Sequence, residues 1–395
     1  MNVKFFKPYI TGKEIPYLRD ILTNRLVISG DGIYTKRVQE FLQNRYHAKK
    51  VLLTTSGTTA LEMAVRLLRL EPGSEVIAPS FTFSSTINAI LLNGLKVQFA
   101  EIQKDTLNVD PKDIEKKITR RTKAIMVVHY AGVACDMGRI MNIAKKHHLK
   151  VIEDAAQAID AKYQNRYLGT IGDLGCLSFH ETKNIVSGEG GAIVINTKNK
   201  KMIERAEIMR EKGTNRSKFF RGQIDKYTWV DIGSSYLPSD LLAAVLLAQL
   251  EAVDKIHYLR KQIYQWYMHE LTTFQNTGVM RLPTIPAYAH HNAHIFYVLM
   301  NSRKQRNFML DYLKNHGVQA TFHYIPLHNS PQGKKLGYRK GDFPVTEHAS
   351  ETLIRLPIWA GMKKREARYV ITSFKDGVEG YVRNRRRIQK SSKSH

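Results

Sequence analysis

Ser178-Phe179-His180-Glu181-Thr182-Lys183-Asn184, followed by Gly188-Glu189-Gly190-Gly191, places a lysine just beyond a short apolar strand and ahead of a glycine-rich turn. Upstream, Val151-Ile152-Glu153-Asp154-Ala155-Ala156-Gln157 is a second apolar strand that ends in a carboxylate. Working outward, strand-like runs alternate with helical patterns. Val51-Leu52-Leu53 precedes a helix over about 58–70, and Glu75-Val76-Ile77-Ala78 precedes one over 86–92. Strands at 96–100 and 124–128 follow, then a helix near 137–147 that leads into Lys150-Val151-Ile152-Glu153. Strands recur at 174–179 and 191–195. This alternation predicts an α/β fold with a large, mainly parallel sheet covered by helices on both faces. Burial of both faces is why the strands are continuous apolar runs.

The texture changes after Asp240. Residues 241–250 read as a strongly apolar helix, leading into a longer charged and aromatic one over about 252–271. Pro283, Pro286 and the histidines around His290 mark a break. A strand over 295–299, a helix over 305–315 and a strand over 321–325 predict a smaller α+β C-terminal domain. The expected division is a large domain over 1–250, a small one over 251–380, and a basic tail over 381–395 without fixed structure.

At 395 residues and 43% hydrophobic content, the chain is long enough for two domains with a sizeable core. Cys135 and Cys176 are its two cysteines, which excludes a disulfide framework and fits a reducing compartment. Met1-Asn2-Val3-Lys4-Phe5-Phe6-Lys7-Pro8 lacks the apolar core of a secretory leader. The apolar run 241–248 is too short to cross a bilayer, so no transmembrane segment and a cytoplasmic location are expected. The net charge of +26 raises the prospect of a polyanionic partner, and a non-enzymatic polyanion-binding protein is one alternative. The basic residues are spread through the body, however, and no specific nucleic-acid motif accompanies them.

Thr54-Thr55-Ser56-Gly57-Thr58-Thr59-Ala60-Leu61-Glu62 reads as a strand-to-helix turn. Small residues at Ser56, Gly57 and Thr58 let backbone amides approach an anion, and the helix dipole points at the same spot. A plain Ser/Thr helix cap is the other reading. No Gly-Lys-Ser/Thr follows, which excludes a P-loop. Pro79-Ser80-Phe81-Thr82-Phe83 sets aromatic rings after a strand, at the sheet edge where α/β proteins bind ligands. One of the rings could stack on a flat ring or be ordinary core packing, and Phe81 reads as core. A phosphate seat, an aromatic, an aspartate and a lysine in one sheet suit pyridoxal 5'-phosphate (PLP). In such enzymes a lysine amine forms a Schiff base with the cofactor aldehyde and a carboxylate pairs with its ring nitrogen. His290, His291 and His294 lack a nearby carboxylate or Cys, so no metal site is expected. Cys135 near His129 is not read as a nucleophile.

From Pro8 to about residue 375 the chain resembles the DegT/DnrJ/EryC1/StrS family of PLP-dependent sugar aminotransferases. The resemblance is carried by Val51-Leu52-Leu53-Thr54, His129-Tyr130-Ala131-Gly132-Val133-Ala134-Cys135, the run from Ser178 to Asn184 and Glu211-Lys212-Gly213-Thr214-Asn215-Arg216. Asp225-Lys226-Tyr227-Thr228-Trp229, Asp231-Ile232-Gly233-Ser234-Ser235-Tyr236-Leu237 and His323-Tyr324-Ile325-Pro326-Leu327-His328 complete it. It implies the PLP-dependent transferase fold of type I, like aspartate aminotransferase, and a homodimer or higher homo-oligomer. Lys183 would carry the Schiff base and shuttle the proton. Asp154 would hold the ring nitrogen protonated, and Gln157 would lie near the phenolic oxygen. Gly57, Thr58 and Ser178 would hold the phosphate, and Phe83 would stack on the ring. Many members have Asn where this chain has Ser235, a position that reaches the neighbouring subunit's cofactor. The Ser-Ser-Tyr-Leu form is similar to the branch that makes dTDP-4-amino-4,6-dideoxygalactose for enterobacterial common antigen-type polysaccharides. The implied substrates are a dTDP-linked 4-keto-6-deoxyglucose and glutamate. Another nucleotide keto-sugar stays open, whereas a sugar dehydratase would replace Lys183 by histidine. The segment 216–229, with Arg216 and Tyr227, could hold the diphosphate and base or be a solvated loop. His323 and His328 could line the sugar site or be structural.

Overall fold

A computed structural model describes the backbone of residues 1–391 and the side chains of 1–383. Seven strands build the main sheet: β1 (Lys50–Thr54), β2 (Glu75–Pro79), β3 (Lys96–Ala100), β4 (Thr122–Val128), β5 (Lys150–Asp154), β6 (Leu174–Ser178) and β7 (Gly191–Ile195). Their spatial order is β1-β7-β6-β5-β4-β2-β3. Only β7 runs against its neighbours; β2, β3, β4, β5 and β6 pair in parallel. The registers Val128 to Asp154, Asp154 to Cys176 and Ser178 to Gly191 bring the strand ends to one edge. That edge is where the sequence placed its phosphate turn, carboxylate and lysine.

Both faces of the sheet are buried, and successive side chains serve different cores. Val51, Leu53 and Val151 pack with Val38 and Leu42 of helix Ile33–Tyr46 and with Leu246 and Leu247. Leu52 and Ile152 pack on the other side with Leu61, Ala64 and Ile90. The second core is thus served by α1 (Gly57–Leu67) and α2 (Ser84–Leu91), and the first by α3 (Asp240–Leu250). The uniformly apolar sequence of 241–248 fits a helix caught between layers.

A 24-residue helix, α4 (Val253–Asn276), leads to a second layer. There β8 (Met280–Arg281), β9 (Phe296–Met300) and β10 (Leu353–Leu356) form a small antiparallel sheet. Val3 pairs with Val318 and packs into this layer's core with Tyr267 and Phe296, so the chain's first residues join the second layer. The strand expected over 321–325 does not form: Thr321 makes one bridge to Arg355, and the chain then turns so that His323 and Tyr324 stack at 3.6 Å between ring centres. The basic stretch expected to be unstructured from residue 381 continues α5 (Lys364–Ser391) as far as Ser391; 392–395 lie outside the described residues. Among the described residues no helix is long and apolar enough to cross a membrane.

Candidate functional site

Asp154 ends β5 with a buried carboxylate. Thr86 Oγ1 donates to it at 2.8 Å and the Ala156 N–H at 3.1 Å. Among the described residues no cation lies within 4.0 Å of it. Burial pushes its pKa up, against the opposing pull of these donors and of Lys183 and His129. Its neighbour Glu153 is fully satisfied: the N–H groups of Gly169, Ile171 and Gly172 and the His129 ring all bond its carboxylate. His129 Nδ1 accepts the Cys135 N–H at 3.2 Å, which leaves Nε2 carrying the proton toward Glu153. This knot fixes the end of β5 and accounts for the 129–135 segment without a nucleophile. The Cys135 thiol bonds the Val128 carbonyl, and burial pushes its pKa up.

Lys183 lies in the loop from β6 to β7, which is tied at both ends. His180 bridges Gly188, and the Asn184 side chain bonds the Asn292 carbonyl at 2.9 Å and His294 Nδ1 at 3.0 Å. Burial lowers the Lys183 amine, with Asp154 opposing and Arg355 adding to the shift. A lysine so placed supplies free amine more readily than one in water. His294 belongs to this support, and His291 packs on the Tyr264 ring.

The turn after β1 combines both sequence readings. Ser56 caps α1: its Oγ accepts the Thr59 N–H at 3.1 Å, and the Thr59 hydroxyl returns to the Ser56 N–H. Its hydroxyl therefore serves the helix first. The N–H groups of Gly57 and Thr58 have no acceptor among the described residues, as the first turn of a helix requires. Thr58 Oγ1 bonds Ser85 at 2.7 Å. A Cβ on Gly57 would lie 2.8 Å from Ser178 Cβ, and one on Gly191 would lie 2.3 Å from the Ser56 carbonyl carbon. Backbone thus packs against backbone beneath the free N–H pair. Gly191→Ala is expected to destabilise the protein by about 2 kcal/mol in a chemical melt and to weaken phosphate retention with it.

These groups face one cavity of about 720 Å³. Lys183, Asp154, Gln157, Ser178, Ser56, Gly57, Thr58, Phe83 and His323 all line it. Phe83 stands at its rim, 61% exposed, while Phe81 is core. Gln157 accepts the Ala131 N–H at 2.7 Å and donates to the Tyr324 hydroxyl at 2.9 Å. His323 Nδ1 bonds the Tyr130 hydroxyl at 2.7 Å, and burial keeps the imidazole neutral well below its usual pKa.

Four expected residues lie elsewhere. His328 is fully buried between Ser80 at 2.8 Å and Glu347 at 3.0 Å, away from the cavity, because the turn after Pro326 carries it into the core. Its contacts are those of a structural histidine. Ser235, Arg216 and Tyr227 sit on a segment that folds back on itself through the bridges Glu211 to Ser235 and Thr214 to Trp229, outside the chain's own cavity. Arg216 lies over the Phe220 ring and Tyr227 beside Phe219. Conversely, Thr86, Tyr324, Arg260 and Arg355 line the cavity without having been singled out. Tyr324 stood inside a quoted motif and Thr86 at the start of the helix expected over 86–92; nothing local marked the two arginines.

The model of the DegT/DnrJ/EryC1/StrS aminotransferase family matches residues 8–375. The chain belongs to this family. It is 32% identical to the spore coat polysaccharide biosynthesis protein SpsC of Bacillus subtilis, covering 94% of this chain and 96% of that one. It is 29% identical to the GDP-perosamine synthase of Escherichia coli O157:H7, covering 95% and 98%. Spr1654 of Streptococcus pneumoniae in its PLP form superposes with a TM-score of 0.89 at 25% identity, over 96% and 99% of the two chains. The enzyme is thus a PLP-dependent sugar aminotransferase of fold type I. The cavity's donor set fits that cofactor: a buried carboxylate lacking a cation, a free N–H pair at a helix start, and an amine of lowered pKa.

Proposed function

We propose that the enzyme transfers an amino group from glutamate to C4 of a dTDP-linked 4-keto-6-deoxyglucose, giving dTDP-4-amino-4,6-dideoxygalactose for surface polysaccharide synthesis. The observation that carries the reading is the meeting of Lys183, Asp154 and the free Gly57 and Thr58 N–H groups in one cavity. The choice of sugar rests on the resemblance carried by Gly233-Ser234-Ser235-Tyr236-Leu237, and the role in polysaccharide synthesis is supported by kinship with the spore coat polysaccharide biosynthesis protein SpsC.

In this reading Gly57, Thr58 and Ser178 hold the cofactor phosphate, Phe83 covers one ring face and Gln157 lies by the phenolic oxygen. The cofactor, once bound, supplies an aldehyde that takes up amines and a protonated ring that draws electrons from them. Asp154 keeps the proton on the ring nitrogen, in exchange for the charge partner it otherwise lacks. Lys183 Nζ would take the proton from the carbon bearing the amine and return it two atoms on, to the carbon across the nitrogen, in opposite senses for donor and sugar. His323 and Tyr324 close the wall where the sugar enters, and the aromatic lining excludes water.

The active form is proposed to be a homodimer. Trp229, Phe220 and Ile232, on the same segment as Tyr227, are 73%, 66% and 61% exposed, apolar side chains suited to a second copy. Ser235, Arg216 and Tyr227 would then serve the neighbour's cavity.

Kinship with GDP-perosamine synthase supports a second reading, a GDP-linked 4-keto-6-deoxy sugar as acceptor. One experiment separates the two. Protein loaded with PLP is expected to show a visible band that L-glutamate bleaches and that dTDP-4-keto-6-deoxyglucose restores, with the amino sugar as product. Restoration by a GDP-linked ketone alone would favour the second reading. A protein that takes up no PLP supplied in excess would sink both.

A further inference from the structure

The cavity takes up one edge of the main sheet, and the opposite edge carries a positive charge that the catalytic reading leaves unused. Because β2, β3, β4 and β5 run parallel, all four start at that far edge. The registers pair Lys96 with Glu75, Glu75 with Thr122 and Ala124 with Lys150. The starts of β3, β2, β4 and β5 therefore stand in a row about 14 Å long, and the length of β5, about 16 Å, separates that row from the edge where Asp154 ends. Two helices end on the same side, since each feeds the strand that follows it: helix Pro111–Lys117 leads into β4 and helix Met137–Lys146 into β5. The Lys146 ammonium bonds the Glu115 carboxylate at 2.8 Å, which ties the two last turns together.

Three cations of this edge are matched: Arg121 by Glu75, Lys146 by Glu115 and Lys150 by Asp173. Lys96, Lys116, Arg120, Lys123 and Lys145 are exposed, and among the described residues none of them has a carboxylate within 4.0 Å. Glu71, exposed in the turn before β2, opposes them. Helix dipoles explain part of the pattern. A helix C-terminus carries about half a negative charge, which Lys117 and Lys146 in the two last turns already meet. The five free cations are surplus to that need.

Surplus charge of this kind attracts a polyanion, and its layout tells which. The cations stand on the ends of separate strands and helices, not along a helix face or β-ribbon that could enter a groove of DNA. Among the described residues the exposed aromatic side chains, from Phe83 at the cavity rim to Trp229 and Phe322, belong to other parts of the fold, so this edge offers no ring for a base to stack on. All but Arg120 are lysines, point charges without the planar fork, which suit a diffuse array of headgroup phosphates. We propose that this edge docks the enzyme on an anionic lipid surface, with the strands of the main sheet upright on it and the cavity turned to the solution. Docking of this kind is separate from the choice of sugar and leaves every cavity residue untouched.

The test sediments the full chain, loaded with PLP, with vesicles of phosphatidylcholine alone or of equimolar phosphatidylcholine and phosphatidylglycerol. Binding is expected to the anionic vesicles alone, and to weaken as NaCl is raised. Each cation near such a surface is worth about fivefold in partition coefficient, so the triple variant Lys116→Gln, Lys123→Gln, Lys145→Gln should lose about 10²-fold. The same change at Lys304, Lys314 and Lys363, exposed on the second layer, should lose far less. Both triple variants should keep wild-type transamination in solution, since neither set lines the cavity. No difference between the two vesicle compositions would overturn the proposal, and equal losses in the two triple variants would reduce the attraction to net charge and overturn it as well. So would binding that survives in the edge variant but is lost when residues 384–395 are removed, which would move the docking to the end of the chain. An edge variant that keeps its vesicle binding and loses retention of duplex DNA would assign the edge to nucleic acid instead.

Discussion

Lys183→Ala is expected to lower turnover by about 10⁴-fold or more while leaving the fold unchanged. Two roles vanish together in that variant: the amine that binds the cofactor and the base that moves the proton. Each is positional, because the tied β6–β7 loop brings Nζ to the cavity wall that also carries Asp154. The fold has little to lose. No carboxylate pairs with Lys183 among the described residues, and its charge feels that of Arg355. Lys183→Arg sharpens the test. It keeps the charge, yet a guanidinium stays protonated at any working pH and can serve neither as nucleophile nor as base. It should be as inactive as the alanine variant, whereas small primary amines in the buffer should partly rescue Lys183→Ala and leave Lys183→Arg untouched. A sign check on pH accompanies this. Burial lowers the Lys183 amine, so its free form exists at lower pH than in a solvent-exposed lysine, whose pKa is about 10.4. Cofactor uptake should rise with pH and level off below that value. A wild-type profile still rising at the pKa of ordinary lysine would contradict the placement of Lys183 in the cavity.

The strand ends were legible because they obey local rules. Apolar runs closed by Asp154 and by Ser178 can be read from composition, and the small residues from Ser56 to Thr58 mark a helix start that approaches an anion. What failed to show were contacts made across the fold. His328 resembled a sugar ligand in sequence, yet the turn at Pro326 drops it between Ser80 and Glu347, far along the chain from one another. His323, five residues earlier, reaches the cavity. Arg355 is one charged residue in an apolar strand, and only the pairing of β10 with β9 reveals which face it takes. The end of the chain shows the opposite error. Like-charged residues argued against structure, but the amphipathic pattern of α5 packs Val370, Phe374 and Val378 into the second layer's core beside Tyr267 and Phe296, and the helix propagates through the basic residues to Ser391.

Asp154→Asn is expected to reduce turnover by about 10³-fold and to loosen PLP, yet to leave the PLP-free protein as stable as the wild type or more so. The first half follows from the proton. An Asn side chain can accept the Thr86 hydroxyl but cannot hold a proton on a ring nitrogen by charge, and an interaction of one full charge in a dry site is worth several factors of ten. The second half follows from linkage. Burial raises the folded pKa of Asp154 above its unfolded value. Its contribution to stability is therefore fully present below the unfolded carboxylate's pKa of about 3.9, and is lost as pH rises through the higher folded value. At neutral pH, above the unfolded value, the raised pKa of this carboxylate is a net cost to the PLP-free fold, and an amide of the same shape removes it. Cofactor binding should reverse the order, because the wild-type carboxylate then gains a cationic partner. Thermal melts with and without PLP at pH 7 read both effects. The wild type should gain the larger upward shift on loading, and the variant should melt no lower than the wild type when PLP is absent. An Asp154→Asn protein that unfolds early without cofactor would make Asp154 a structural anchor of β5, a part the Glu153 knot already plays with four donors.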